Sequence, residues 1–398
     1  MNHSPANLAG APPDPDTVGA GAPAFSRSAV WLLQLAAAGI PASLLWDFSW
    51  ESTVGIDLVW APAHAATYLA VAVAGMTALG LVLTTTRTPA GRGDGVRVGQ
   101  WHAPLGAWVT AWGAAAFSAA VLFDRWWQSA YGLGAGIWHP PQICKAVAFF
   151  AVVMGVWLFC LNRQNQSGRH NAGSGGVAFA VAGGWVLALI TVVTLVSVYP
   201  NRQHSAWFYK LACGTYPIVV VALAVAGKLR FPATVASLAY TTVICLMVWL
   251  LPLFPAKPQV APIYNPLDHL MPPPFALLLV VPAVALDALF RFFPWPEHRF
   301  RAWLQTGAAG LAFFITFFGA QWIFAEFLLT DLADNRFFAG GGQHWPFFLK
   351  LSPLARVEFW NTRQDEMNVT SALVCVGLAV LATRVGLWMG AWMKRLQR

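Results

Sequence analysis

Charge is scarce in this chain: only 10% of its 398 residues are Asp, Glu, Lys or Arg, against about a quarter in a soluble globular domain. With 58% hydrophobic residues, that deficit excludes a soluble globule. Cysteine is sparse too. Cys144, Cys160, Cys213, Cys245 and Cys375 show no CxxC spacing, so buried, inert thiols are expected rather than a disulfide framework or a thiolate zinc site. No HExxH pair occurs, and the GGG at 340–342 lacks the Lys-Ser/Thr partner of a phosphate loop. The first 26 residues are rich in Pro, Gly and Ala, with neither the charged flank nor the short apolar core of a cleavable signal peptide. They read as a disordered cytoplasmic tail.

What the chain has instead is apolar runs. Ten stretches of about 20 residues, at about 28–46, 62–84, 104–123, 141–161, 176–199, 207–227, 231–253, 273–293, 303–328 and 369–392, are each long enough to cross roughly 30 Å of hydrocarbon. The expected fold is all-α, a polytopic membrane helix bundle forming a single domain over 27–398. Its +8 formal charge is distributed by topology. Arg87, Arg97, Arg163, Arg230, Arg291 and Lys394 fall in connections on one side, and Asp47, Asp57, Asp124, Asp268 and Asp331 in those on the other. By the positive-inside rule both termini lie inside, as in a multi-pass protein of a bacterial inner membrane. The lipid bilayer is then the first partner, other membrane subunits are a second, and nucleic acid is not expected.

One passage occurs twice. WDFSWESTVGIDLVWAPAH (46–64) is followed by FDRWWQSAYGLGAGIWHPPQ (123–142). Asp47 aligns with Asp124, Trp50 with Trp127 and Gly55 with Gly132; after a one-residue insertion, Trp60 and Pro62 align with Trp138 and Pro140, and His64 with Gln142. Two spans separate the copies, so they are parallel repeats of a two-helix unit facing one side of the membrane. Each Pro is expected in the first turn of a helix, where its missing N–H costs nothing.

The same side gathers most of the chemistry-bearing residues. His64, His139, His204, His269 and His344 all fall there, whereas His102, His170 and His298 lie among the arginines. Imidazole with carboxylate suits copper, zinc or iron, so His64, His139, His269 and His344 with Asp57 and Asp268 are the candidate metal ligands. A structural reading competes, in which Trp beside Asp forms an interfacial aromatic belt. The connection at 252–274 carries eight prolines and is expected to run extended along a cavity or beneath the large aromatic loop at 329–368. Three ionisable residues fall within spans: Asp287, Arg384 and Glu326. Asp287 and Arg384 read as an interhelical lock, Glu326 as a functional candidate, and Lys145 and Lys210 as snorkelling side chains.

The repeat with its Trp-x-Pro-x-His ending resembles that of uncharacterised bacterial multi-pass membrane proteins, which carry Trp-Ser-Pro-Pro-His where this chain has WHPPQ. The stretches YNPLDHLMPPPFALLLVVPAVALDALF (264–290) and FLLTDLADNRFFAGGGQ (327–343), with WDF at 46–48, are similar to segments of the membrane-embedded A subunit of particulate methane and ammonia monooxygenases. That likeness implies a helical subunit near a copper oxygenase centre without itself being the catalyst. The 46–142 repeat has no counterpart there. The functions in view are therefore an outer-face metal or small-ligand site, with copper as one cofactor; a non-enzymatic docking or assembly subunit; and a small-solute transporter.

Overall fold

A computed structural model of the protein describes residues 27–55, 59–88, 95–132, 139–166, 172–196, 203–259, 268–293, 299–328, 330–333 and 365–396. The expected tail at 1–26 and most of the aromatic loop lie outside them. The architecture is an all-α polytopic bundle, with ten helices among the described residues. They are α1 (Arg27–Thr53), α2 (Pro62–Arg87), α3 (Leu105–Tyr131), α4 (Pro140–Gln166), α5 (Ala172–Thr191), α6 (Ala206–Ala226), α7 (Pro232–Leu250), α8 (Val280–Phe292), α9 (Arg299–Phe327) and α10 (Val369–Arg395). Among the described residues, all but α8 are long and apolar enough to cross a membrane. The chain is thus a multi-pass membrane protein. Leu69, Leu122, Ile323 and Trp388 are largely exposed, as expected of side chains that face lipid rather than water.

Helices α1 to α4 pack as two successive hairpins, α1 on α2 and α3 on α4, joined by contact of α2 with α3. The α3–α4 seam is the tighter. Gly106 and Gly155 let the two backbones meet, so that a Cβ at Gly106 would stand 2.3 Å from the Phe159 nitrogen. Small residues drive such contact where lipid and side chain are equally apolar. Between α2 and α3 lies a β-hairpin, Val96–Val98 paired antiparallel with Trp101–Ala103, in a stretch whose glycines read as solvated turn. It is pinned by the Trp108 indole, which donates to the Val96 carbonyl at 3.0 Å.

The eighth crossing departs from expectation. Residues 272–278 form no helix, Leu279 turns, and only 280–292 coil into α8. Three consecutive prolines, Pro272 to Pro274, remove the donors an α-helix needs there. At one end the Met271 amide donates to Thr53 Oγ1 at 2.9 Å, at the close of α1. At the other, Asp287 meets the start of α7, so this half-helical path crosses the bundle. Its bare amides find side-chain partners: Leu277 N–H donates to the Tyr240 hydroxyl at 2.8 Å and Leu278 N–H to Gln321 Oε1 at 2.9 Å. Gln321 also donates to Gln203 at 2.7 Å. Backbone without a helix is tolerated at membrane depth only when satisfied in this way.

The expected lock between Asp287 and Arg384 does not form. Asp287 instead accepts from the Ala233 amide (3.3 Å) and from the Thr234 amide and hydroxyl (both 2.8 Å), capping α7 from a neighbouring helix. Arg384 lies over the Trp303 ring, 4.8 Å from its centroid, a cation–π contact. Lys210 does not simply snorkel either. It pairs with Asp365 at 3.2 Å, tying the start of α6 to the chain entering α10. Of the free cysteines, Cys160, Cys213 and Cys375 are buried as expected, whereas Cys144 is exposed and Cys245 partly so.

Candidate functional site

Positions aligned in the two copies hold equivalent places. Gly55 and Gly132 both take positive φ, 78° and 83°, just beyond the ends of α1 and α3, where glycine is the residue that closes a helix without a Cβ penalty. Pro62 and Pro140 both open the following helix. Asp47 and Asp124, expected in connections, lie inside α1 and α3, about two turns before their ends. A 27-residue helix is about 40 Å long at 1.5 Å per residue, so its end projects beyond the hydrocarbon and carries these carboxylates close to the headgroup level.

Between the two hairpins at this level lies a cleft of about 320 Å³. Its lining repeats with the sequence. Leu44, Asp47 and Glu51 of α1 match Val121, Asp124 and Gln128 of α3, and His64 and Thr67 of α2 match Gln142 and Lys145 of α4. Spacings of three and four residues place each set on one helical face. Tyr68, Phe117 and Phe149 supply an aromatic wall, with Phe117 and Phe149 centroids 4.9 Å apart and Tyr68 6.1 Å from Phe117.

Each hairpin holds one carboxylate–base pair across its two helices, an ion pair for Lys145 and, when its imidazole is protonated, for His64. His64 Nε2 lies 3.2 Å from Asp47 Oδ1, and Lys145 Nζ lies 2.9 Å from Asp124 Oδ2. The Gln128 amide adds a longer bond to the same Asp124 oxygen at 3.4 Å. Lys145 therefore does for the second copy what His64 does for the first, from three residues further into its helix. Sequence reasoning missed it because the repeat was aligned only as far as His64 and Gln142. Extending the alignment by one turn sets Lys145 against Thr67, which bonds to Ser43 at 2.9 Å. The four paired side chains are each about one-fifth exposed, from 17% to 22%, so solvent weakens these pairs less than it weakens surface pairs.

The candidate metal ligands that fall among the described residues lie in separate places. His64 lies in the cleft; His139 packs beside Trp127, ring centroids 6.3 Å apart; His269 sits on an isolated bridge to Pro255, its Nδ1 2.5 Å from Asp268. His344 and Asp57 fall outside the described residues. Among the described residues, no group of three or more His, Cys, Asp or Glu side chains is placed to hold a metal ion. Glu326 is exposed near the end of α9.

His204 is fully buried just ahead of α6 and stands edge-on to Trp322, centroids 4.5 Å apart. Burial pulls its imidazole down from the ordinary 6.5 to about 4, against an opposing hydrogen bond that the ring donates to the Trp322 backbone. The unfolded chain thus takes up this proton at higher pH than the folded one. Stability is complete above the unfolded value and falls as pH drops through the window between the two, by up to about 3 kcal/mol. The thermal midpoint of the detergent-solubilised protein should decline between pH 7 and 4.5, and less steeply in His204→Phe. An equally steep decline in that variant would place the proton uptake elsewhere.

No protein-family model, curated protein or solved structure matches this chain.

Proposed function

We propose that this multi-pass membrane protein binds a small polar ligand in the cleft between its two repeat hairpins. The observation that carries the reading is that matched positions of the two copies line one cavity and present two partly buried carboxylate–base pairs to it. A cavity near 300 Å³ with an apolar wall and a few convergent polar groups has the character of a small-molecule site. The metal reading, including a copper-linked oxygenase-type subunit, draws on a ligand set of which, among the described residues, only His64 lines this cleft. The ligand reading accommodates either a receptor subunit or a carrier of solutes.

Native mass spectrometry and elemental analysis of detergent-purified protein test it together. The expected result is a co-purifying organic molecule, retained by the natural chain and depleted at least about tenfold in Lys145→Met. Stoichiometric copper, zinc or iron lost in a His64, His269 and His344 triple alanine variant would replace this reading with the metal one.

A further inference from the structure

The two walls of the cleft match in position but not in charge. The first copy contributes Asp47 and Glu51 with His64, and neither lysine nor arginine; the second contributes Arg125 and Lys145 against the single carboxylate Asp124. Glu51 on one side has its aligned place taken by neutral Gln128 on the other, and Arg125 has its place taken by Phe48. Two copies of one unit have thus diverged into an acidic wall and a basic wall, with an aromatic surface between them. Glu51 and Arg125 are the exposed members of each wall. A ligand carrying one sign of charge would be repelled by one of these walls, and a dipolar one is complementary to both.

The depth and opening of the cleft narrow the ligand further. Its charged residues sit in the last two turns of α1 and α3 and the first two turns of α2 and α4, close to the level at which lipid headgroups lie. Leu122, which lines the cleft, is 73% exposed, and Trp60 and Trp126 nearby in the chain are 79% and 55% exposed. Exposed leucine on a membrane-spanning helix faces acyl chains, and exposed tryptophan marks the interface. The cleft therefore opens sideways to the bilayer as well as upward. Carboxylates act only as acceptors, so they select an ammonium that bears N–H donors over a trimethylated one.

Building on the proposed ligand cleft, we infer that its occupant is the headgroup of a zwitterionic aminophospholipid, ammonium toward Asp47 and Glu51 and phosphate toward Arg125 and Lys145. The acyl chains leave past Leu122. The two exposed charges set the preference, and the two partly buried pairs shape the floor.

Native mass spectrometry of the full chain, with equal amounts of dioleoyl phosphatidylethanolamine, phosphatidylcholine and phosphatidylglycerol added, tests this. Phosphatidylethanolamine should be retained over both others, and Glu51→Gln and Arg125→Gln should each weaken it about threefold, as exposed charges do. Both residues are exposed, so the variants should fold like the natural chain. The signature of the dipole is that Glu51→Gln raises phosphatidylglycerol binding relative to phosphatidylethanolamine, whereas Arg125→Gln lowers phosphatidylglycerol. Equal retention of all three lipids, unchanged in both variants, would overturn the inference. If the co-purifying molecule is then still depleted in Lys145→Met, the cleft remains a ligand site for another chemistry; if it is not, the ligand reading falls as well. Free O-phosphoethanolamine binding as tightly as the lipid would uphold the charge complementarity and overturn its lipid source.

Discussion

Gly155→Leu is expected to destabilise the packing of the first four helices strongly. A Cβ at this position would stand 2.4 Å from Thr110 Oγ1, 2.5 Å from the Thr110 nitrogen and 2.8 Å from the Gly106 carbonyl oxygen. Two of those three atoms are backbone of α3, which cannot move without displacing the whole helix. Overfilling a packed site typically costs about 1–3 kcal/mol, and more when backbone is what the new atoms meet. Here the displaced helix also carries Asp124 and Gln128, so cleft occupancy should fall along with stability. Thermal unfolding in detergent should show a midpoint lowered by about 10 °C or more. Gly377→Leu on α10 is the control, since a Cβ there meets nothing within 4 Å. Equal midpoints for the two variants would mean that the α3–α4 contact does not limit stability.

Asp287→Ala should be the most damaging single change in the second half of the chain. Helix α7 opens after Phe231, whose side chain makes no capping bond, so its first amides depend on a carboxylate borrowed from α8. Removing it strands the amides of Ala233 and Thr234 and the Thr234 hydroxyl in a site that is only 4% exposed at Asp287. Each orphaned buried donor costs roughly 1–3 kcal/mol, and bonds to a charged acceptor sit at the upper end. The negative charge facing the positive end of the α7 macrodipole is lost as well. Asp287→Asn keeps one acceptor oxygen and should recover part of the stability. Limited proteolysis across 227–232, where α6 hands over to α7, would read this out. An Asp287→Ala protein as resistant as the natural chain would show that water reaches and satisfies the helix end.

Much of this architecture was visible in the residues because it is set by chemistry along the chain. Apolar runs of membrane length gave the helices; Gly55, Gly132, Pro62 and Pro140 marked their ends, as glycine and proline do for local steric reasons. What the sequence does not display is pairing between helices. Asp287 and Arg384 were matched by opposite charge, yet each found a nearer partner: a helix terminus for one, the Trp303 ring for the other. Lys145 read as a snorkelling side chain because Asp124, 21 residues earlier, comes within 2.9 Å only once α3 and α4 fold back on one another. The eighth span read as a helix because LLLVVPAVALD is equally apolar either way. Only Pro272 to Pro274 carried the signal for its non-helical half.

That non-helical half bears on how the protein enters its membrane. A helix can leave the insertion machinery alone, since its own turns satisfy its amides. Residues 272–278 cannot do so, because Leu278 depends on Gln321, 43 positions further along. The partner has not yet emerged from the ribosome when this stretch reaches the bilayer. Segments α7, α8 and α9 must therefore be held together until α9 is synthesised, and released as one assembled unit rather than one span at a time.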